Sequence, residues 1–210
     1  MACKPGLGRY LNDLNKVADL LPRVMDQTRR RVFRNESVPS CEKVVSIFEP
    51  HTDVIIKGFR EVEYGHKVFL SSGKSGMVTA CQLVQGNPGD NVYFMDMIQK
   101  NQEVYGMPPR QVSADGGFAS IDNVDEAKEA GVKDVCFSKT LGIPIEEMCR
   151  SGWVFQRLRK FRAGIEGVIS VLKRAFGLAR CNWRGVRGFA SYVHSNICAY
   201  NLSILARRLT

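Results

Sequence analysis

Apolar positions follow two different rhythms in the first part of the chain. From position 7 to 33 they recur at Leu11, Leu14, Val17, Leu20, Leu21, Val24 and Val32, close to a helical period. This stretch predicts a helical arm, interrupted at Pro22 and closing on the basic run Arg29, Arg30 and Arg31. Asn35, Ser37, Pro39 and Ser40 then mark a linker over 34–42. Between 43 and 86 the pattern becomes extended: 44–48, 54–56, 66–70 and 77–84 read as strands. The last two flank Ser71-Ser72-Gly73-Lys74-Ser75-Gly76, which has the turn residues of a hairpin.

Beyond the turn Gly86-Asn87-Pro88-Gly89, Asp90 is placed to cap a helix running to about residue 105. A short strand over 110–114 delivers Asp115, and Gly116-Gly117 lets the backbone turn sharply. A helix over 123–130 and a buried strand at Val135-Cys136-Phe137 follow, and from Ser151 two helices are separated near 181–188. The alternation predicts a mixed α/β layer fold.

Charge changes the picture once it is divided along the chain. Residues 151–210 hold eleven Lys and Arg against one acid, Glu166, whereas 1–150 nearly balance at nineteen bases and twenty acids. A field of one sign interleaved with Trp153, Phe155, Phe161, Phe176, Trp183 and Phe189 suits a surface that binds a phosphate backbone. A solvated helix face would mix both signs. No window holds 18 uncharged apolar residues, and no apolar leader follows Met1, so neither a span nor a signal peptide is visible and a cytoplasmic location is expected. The seven cysteines are scattered without a C-x-x-C pair and read as reduced core thiols. His51, His66 and His194 show no ligand spacing. Gly73-Lys74-Ser75 is not a phosphate-binding loop, because Val68 stands where that loop needs glycine.

Two features carry chemistry. On a helix of ~100° per residue, Glu166 lies ~40° and Lys173 ~20° around the axis from Arg162, so the three share one stripe ~16 Å long. The only carboxylate in a basic field makes sense if it holds a metal while its neighbours hold phosphates. Asp115, at the end of an apolar strand and followed by two glycines, stands where ligands approach α/β sheets.

On these residues the chain resembles the DDE transposases of bacterial insertion sequences. Asp115, in Ser113-Ala114-Asp115-Gly116-Gly117-Phe118, is similar to that family's second catalytic aspartate. Glu166 is similar to its glutamate, and Arg162 and Lys173 match the basic members of its tyrosine, arginine, glutamate, lysine signature. The tyrosine is absent: Arg159 stands at its position. The resemblance covers residues 37–210, including Ser46-Ile47-Phe48-Glu49-Pro50-His51-Thr52 and Glu63-Tyr64-Gly65-His66-Lys67.

The resemblance implies a ribonuclease-H-like mixed sheet flanked by helices, with residues 1–36 as a helical arm left from an insertion between the first two strands and 37–210 as the catalytic domain. It implies metal-dependent cleavage and transfer of DNA strands at element ends, with two Mg²⁺ or Mn²⁺ ions held by Asp115 and Glu166. Arg162, Lys173, Arg159 and Arg174 would bind DNA phosphates, and the partners would be duplex DNA and a second copy of the chain. The first aspartate of the family is not matched. The expectation is that the chain starts after it, that two carboxylates alone anchor the ions poorly, and that the 210 residues therefore cut no DNA with Mg²⁺ or Mn²⁺ as they stand; Asp53 and Glu49 are the rival candidates for that carboxylate, with which the chain would be active. A basic DNA-binding protein without catalysis and a nuclease of the same fold are the alternatives.

Overall fold

The computed structural model of the chain describes residues 7–57 and 61–209. It is a mixed α/β protein with an N-terminal helix. Two compact units are present: the first gathers the chain up to Lys67 with Val84–Asn87 and Arg184–Val186, and the second holds Val68–Leu83, Pro88–Trp183 and Arg187–Thr210.

In the first unit, helix α1 (Leu7–Thr28) continues through Pro22 and widens into a π-turn at Arg29–Phe33. The expected interruption is therefore not there. The expected strand at 44–48 is absent too, because the backbone there finds a different partner. The side-chain amide of Gln27 donates to the Val44 carbonyl (3.0 Å) and accepts from its N–H (2.8 Å). One polar side chain on the helix has replaced the ladder that a strand would need. Strands β1 (Asp53–Lys57) and β2 (Glu61–Gly65) pair antiparallel with Asp53 opposite Gly65. The sequence pattern missed β2, whose Val62 and Tyr64 alternate with acids and remain exposed.

In the second unit, β3 (Val68–Ser72) and β4 (Val78–Leu83) form the anticipated hairpin. Helix α6 (Gly185–Leu209) secures it by satisfying exposed backbone: the Asn201 side chain accepts from Val78 N–H (2.9 Å) and donates to Val78 O (2.8 Å). The Tyr200 hydroxyl donates to Gly76 O (2.9 Å). Strands β5 (Gln111–Ala114) and β6 (Asp134–Phe137) run parallel, joined through α3 (Ile121–Glu129). The described strands thus form three two-stranded sheets rather than one ladder. Helices α2 (Phe94–Tyr105), the short α4 (Ile145–Met148) and α5 (Gly152–Ala175) complete the unit. Asp90 opens a 3₁₀ turn ahead of α2 instead of capping it.

Two apolar clusters organise these elements. One centres on Val124, Val135, Phe137, Met148, Phe155 and Leu158, the other on Val78, Leu172, Val193 and Tyr200. Helix α5 contributes to both, Phe155 and Leu158 from its first half and Val168 and Leu172 from its second. Of the described cysteines, only Cys136 and Cys149 are buried; Cys41 and Cys198 are exposed, which corrects the reading of all as core thiols. Burial pushes the Cys149 thiol up to about 12, so it has no thiolate chemistry near neutral pH.

Asp134 is fully buried at the start of β6. It accepts from Gln111 Nε2 (2.7 Å) and Arg150 N–H (3.0 Å), with Arg150 Nε at 3.7 Å. Burial pushes its carboxyl up, but these donors and the Arg150 charge outweigh it and hold the group below its ordinary value. A depressed carboxyl stabilises the fold above its unfolded pKa of about 3.9, and that contribution is lost as pH falls through the folded value. Asp134→Ala should cost about 3 kcal/mol in urea denaturation at neutral pH, because it leaves buried donors unpaired. The difference from wild type should shrink in acid, and a loss under about 0.5 kcal/mol, the level of an ordinary surface change, would contradict it.

Candidate functional site

The turn after β5 is built to hold one carboxylate. Asp115 Oδ1 accepts from Gly116 N–H (2.7 Å) and from the hydroxyl of Ser138 (2.6 Å), which follows β6. Parallel pairing of β5 with β6, Ala114 opposite Phe137, brings those residues side by side. Close approach requires glycine at position 116, and at 117 an added Cβ would displace the Asp90 carboxylate. A Cβ on Gly116 would lie 2.8 Å from Lys139 Cβ, and one on Gly117 would lie 2.7 Å from Asp90 Oδ2. The Ser138 hydrogen bond, the Gly116 N–H and the cations of Arg162 and Lys139 hold the Asp115 carboxyl below its ordinary value, against the effect of partial burial. Asp115 therefore stays ionised well into acid. Ser138→Ala should raise its pKa toward the ordinary carboxylate range, read by NMR titration of the side-chain carboxyl. No movement would remove Ser138 as the main cause.

Helix α5 supplies the second carboxylate. Ser151 starts the helix by accepting from Val154 N–H (3.3 Å), a cap that fixes where the first turn begins. Arg162 and Glu166, one turn apart, are joined by a 2.7 Å hydrogen bond from Nη2 to Oε1. Arg162 Nη1 also lies 3.5 Å from Asp115 Oδ1. One guanidinium, only 21% exposed, thus bridges two carboxylates that are 66% and 62% exposed. An isolated i, i+4 surface pair would be worth little; here the pair reaches a second acid from a strand end. Lys173, Arg159 and Arg174 lie exposed on the same helix. Arg157 is engaged elsewhere, donating to Gln111 Oε1 (2.8 Å) and lying 5.0 Å over the Trp153 ring.

Asp53 and Glu49 have partners that sequence reasoning did not foresee. His51 Nδ1 and His66 Nε2 are 2.6 Å apart and share a hydrogen bond, with the rings stacked. His51 Nε2 reaches Glu49 Oε2 at 2.6 Å, and His66 Nδ1 reaches Asp53 Oδ2 at 3.1 Å. Glu49 also accepts from Gly185 N–H at the start of α6 (3.0 Å), where a carboxylate suits the helix dipole. The histidine pairing is a product of register: with Asp53 opposite Gly65, His66 is set beside the residues just ahead of β1.

Asp115 and Glu166 offer hard carboxylate oxygens at one cation-attracting position, the donor type of Mg²⁺ or Mn²⁺. Among the described residues no group of three or more His, Cys, Asp or Glu is arranged to hold an ion. No helix among them is long and apolar enough to cross a membrane. Neither a curated protein nor a solved structure matches the chain. A family model for the transposase DDE domain matches residues 60–202, more than half of the chain and a span that contains Asp115, Arg162, Glu166 and Lys173. The chain therefore belongs to the DDE transposase family.

Proposed function

We propose that the chain acts on duplex DNA by metal-dependent phosphoryl transfer, cutting and joining strands at the ends of an insertion sequence, with Asp115 and Glu166 as metal ligands. The observation that supports this most is the single guanidinium of Arg162 joining both carboxylates, one from a strand end and one from a helix. Two acids do not gather at an exposed position for packing; they repel unless a cation lies between them.

Two divalent ions bound there would supply the chemistry, one activating a water or 3′-hydroxyl and the other stabilising the leaving oxygen. The chain's own residues do the rest. Ser138 and Gly116 N–H hold Asp115 ionised and in one orientation, so one oxygen remains for the ion. Arg162 steadies both acids, and exposed Lys173, Arg159 and Arg174 hold the backbone phosphates on either side.

A basic DNA-binding role without catalysis is the second reading, favoured by the engagement of Asp53 and Glu49 with histidines. Glu166→Gln separates the two. It should remove Mg²⁺- or Mn²⁺-dependent cleavage of a duplex carrying element ends while leaving DNA affinity intact or higher, since a negative charge has gone. A wild-type chain that binds DNA tightly, cuts it in neither metal and takes up no Mn²⁺ at Asp115 and Glu166 would favour the second reading.

A further inference from the structure

Lys139 follows Ser138 at the carboxyl end of β6 and lies across the turn that carries Asp115. Its Cβ, Cγ and Cδ are 2.8, 3.1 and 3.3 Å from where a Cβ on Gly116 would stand. Three successive methylenes therefore run over the bare face of that glycine, and the ammonium acts on the Asp115 carboxylate through space. The backbone on either side is pinned. Ser138 N–H donates to Ala114 O (3.0 Å), and Ile143 N–H closes a tight turn onto Thr140 O (2.9 Å), with Leu141 and Gly142 both at positive φ.

This cation has no partner of its own. Asp115 is already held by Ser138, Gly116 N–H and Arg162, and Arg162 by both acids. The exposed ammonium of Lys139 makes no hydrogen bond or ion pair among the described residues. Divalent ions at the two carboxylates would make the position more cationic still. An unpaired ammonium there is stabilised only by an anion that arrives with the substrate.

Place in the fold says which anion. Ligands gather at the carboxyl ends of parallel strands, and Lys139 is the cation that follows β6, the strand paired with the one that delivers Asp115. Arg159 and Lys173 each stand seven residues from Glu166, ~10 Å along α5, and so face flanking phosphates. Given DNA cutting at Asp115 and Glu166, on which this assignment rests, we propose that Lys139 binds the phosphate that is cut, pairing with a non-bridging oxygen beside Asp115.

The test is equilibrium binding of the whole chain to a duplex carrying an element end, with Ca²⁺ in place of Mg²⁺ so that the strand stays whole. Lys139→Met keeps the methylene stem over Gly116 and removes the charge. It should weaken binding about tenfold, the loss of one hydrogen bond to a charged group, and Lys139→Arg should recover most of this. Lys133→Met, an exposed lysine at the opposite end of β6, should change little. Neutral methylphosphonates placed one at a time along the strand locate the partner. The Lys139→Met penalty should vanish at one position, the phosphate that wild type cuts in Mg²⁺, and the Lys173→Ala penalty at another. A penalty shared by Lys133→Met, or one that no single methylphosphonate removes, would overturn the proposal. So would wild-type DNA affinity in Lys139→Met; weakened Mn²⁺ binding alone would leave the lysine serving only Asp115. If the penalty is confined to one phosphate but wild type takes up no Mn²⁺ and cuts nothing, Lys139 keeps its phosphate and the proposed chemistry falls.

Discussion

Binding of the chain to duplex DNA should fall steeply with salt, by about a thousandfold between 50 and 200 mM if about six phosphates are neutralised. Residues 151–210 carry eleven bases and one acid, and each phosphate contact releases counterions that added salt makes costlier to release. The structure refines which bases should matter. Lys173, Arg159 and Arg174 are exposed, and replacing any one by alanine should flatten the logarithmic slope by about 0.9. Arg162 is mostly covered and already occupied by two carboxylates. Arg162→Ala should therefore flatten the slope less than Lys173→Ala, although the two share one stripe in the sequence. A slope near zero would reduce the basic helices to a solvated surface.

The largest effect is expected on chemistry. Asp115→Asn and Glu166→Gln should each lower metal-dependent cleavage of an element-end duplex at least about 10³-fold, equivalent to ~4 kcal/mol of transition-state stabilisation. The double variant should be hardly worse than either single one, because groups that act as a unit do not contribute additively. Asp53→Asn is the informative companion. Its carboxylate is held by His66 at 3.1 Å, so on the present account it positions a histidine and its loss should spare most of the rate. A collapse as deep as that of Glu166→Gln would make Asp53 the third carboxylate.

What was legible in the sequence was whatever is written locally. Asp115 followed by two glycines announces a strand end with close backbone approach, and Gly116 and Gly117 do sit under Lys139 and Asp90. The spacing of Arg162 and Glu166 announces a shared helix face, and their 2.7 Å hydrogen bond follows from it. The resemblance to the DDE family rested on the same few residues, and the family-model match over residues 60–202 shows the membership.

The misreadings arose where partners come from far away in the chain. Residues 44–48 look extended, yet the backbone of Val44 is satisfied by Gln27, a residue on a helix. Pro22 removes one donor and crowds the carbonyl a turn earlier, yet α1 continues through it. Strand β2 alternates acids with exposed apolar residues and so gives no apolar run to detect. The pairing of His51 with His66 depends on the β1–β2 register, which no spacing rule for ligands anticipates. That Arg162 also reaches Asp115 depends on how α5 packs along β5 and β6, a tertiary fact.

The central claim is that Asp115 and Glu166 are ligands of the divalent metal ions, and it can be measured without any turnover. Mn²⁺ titrated into the whole chain and followed by electron paramagnetic resonance reads the bound ion directly. The account predicts specific binding that is lost in Asp115→Asn and in Glu166→Gln alike and kept in Asp53→Asn. Mn²⁺ binding of equal strength in wild type, Asp115→Asn and Glu166→Gln would contradict it.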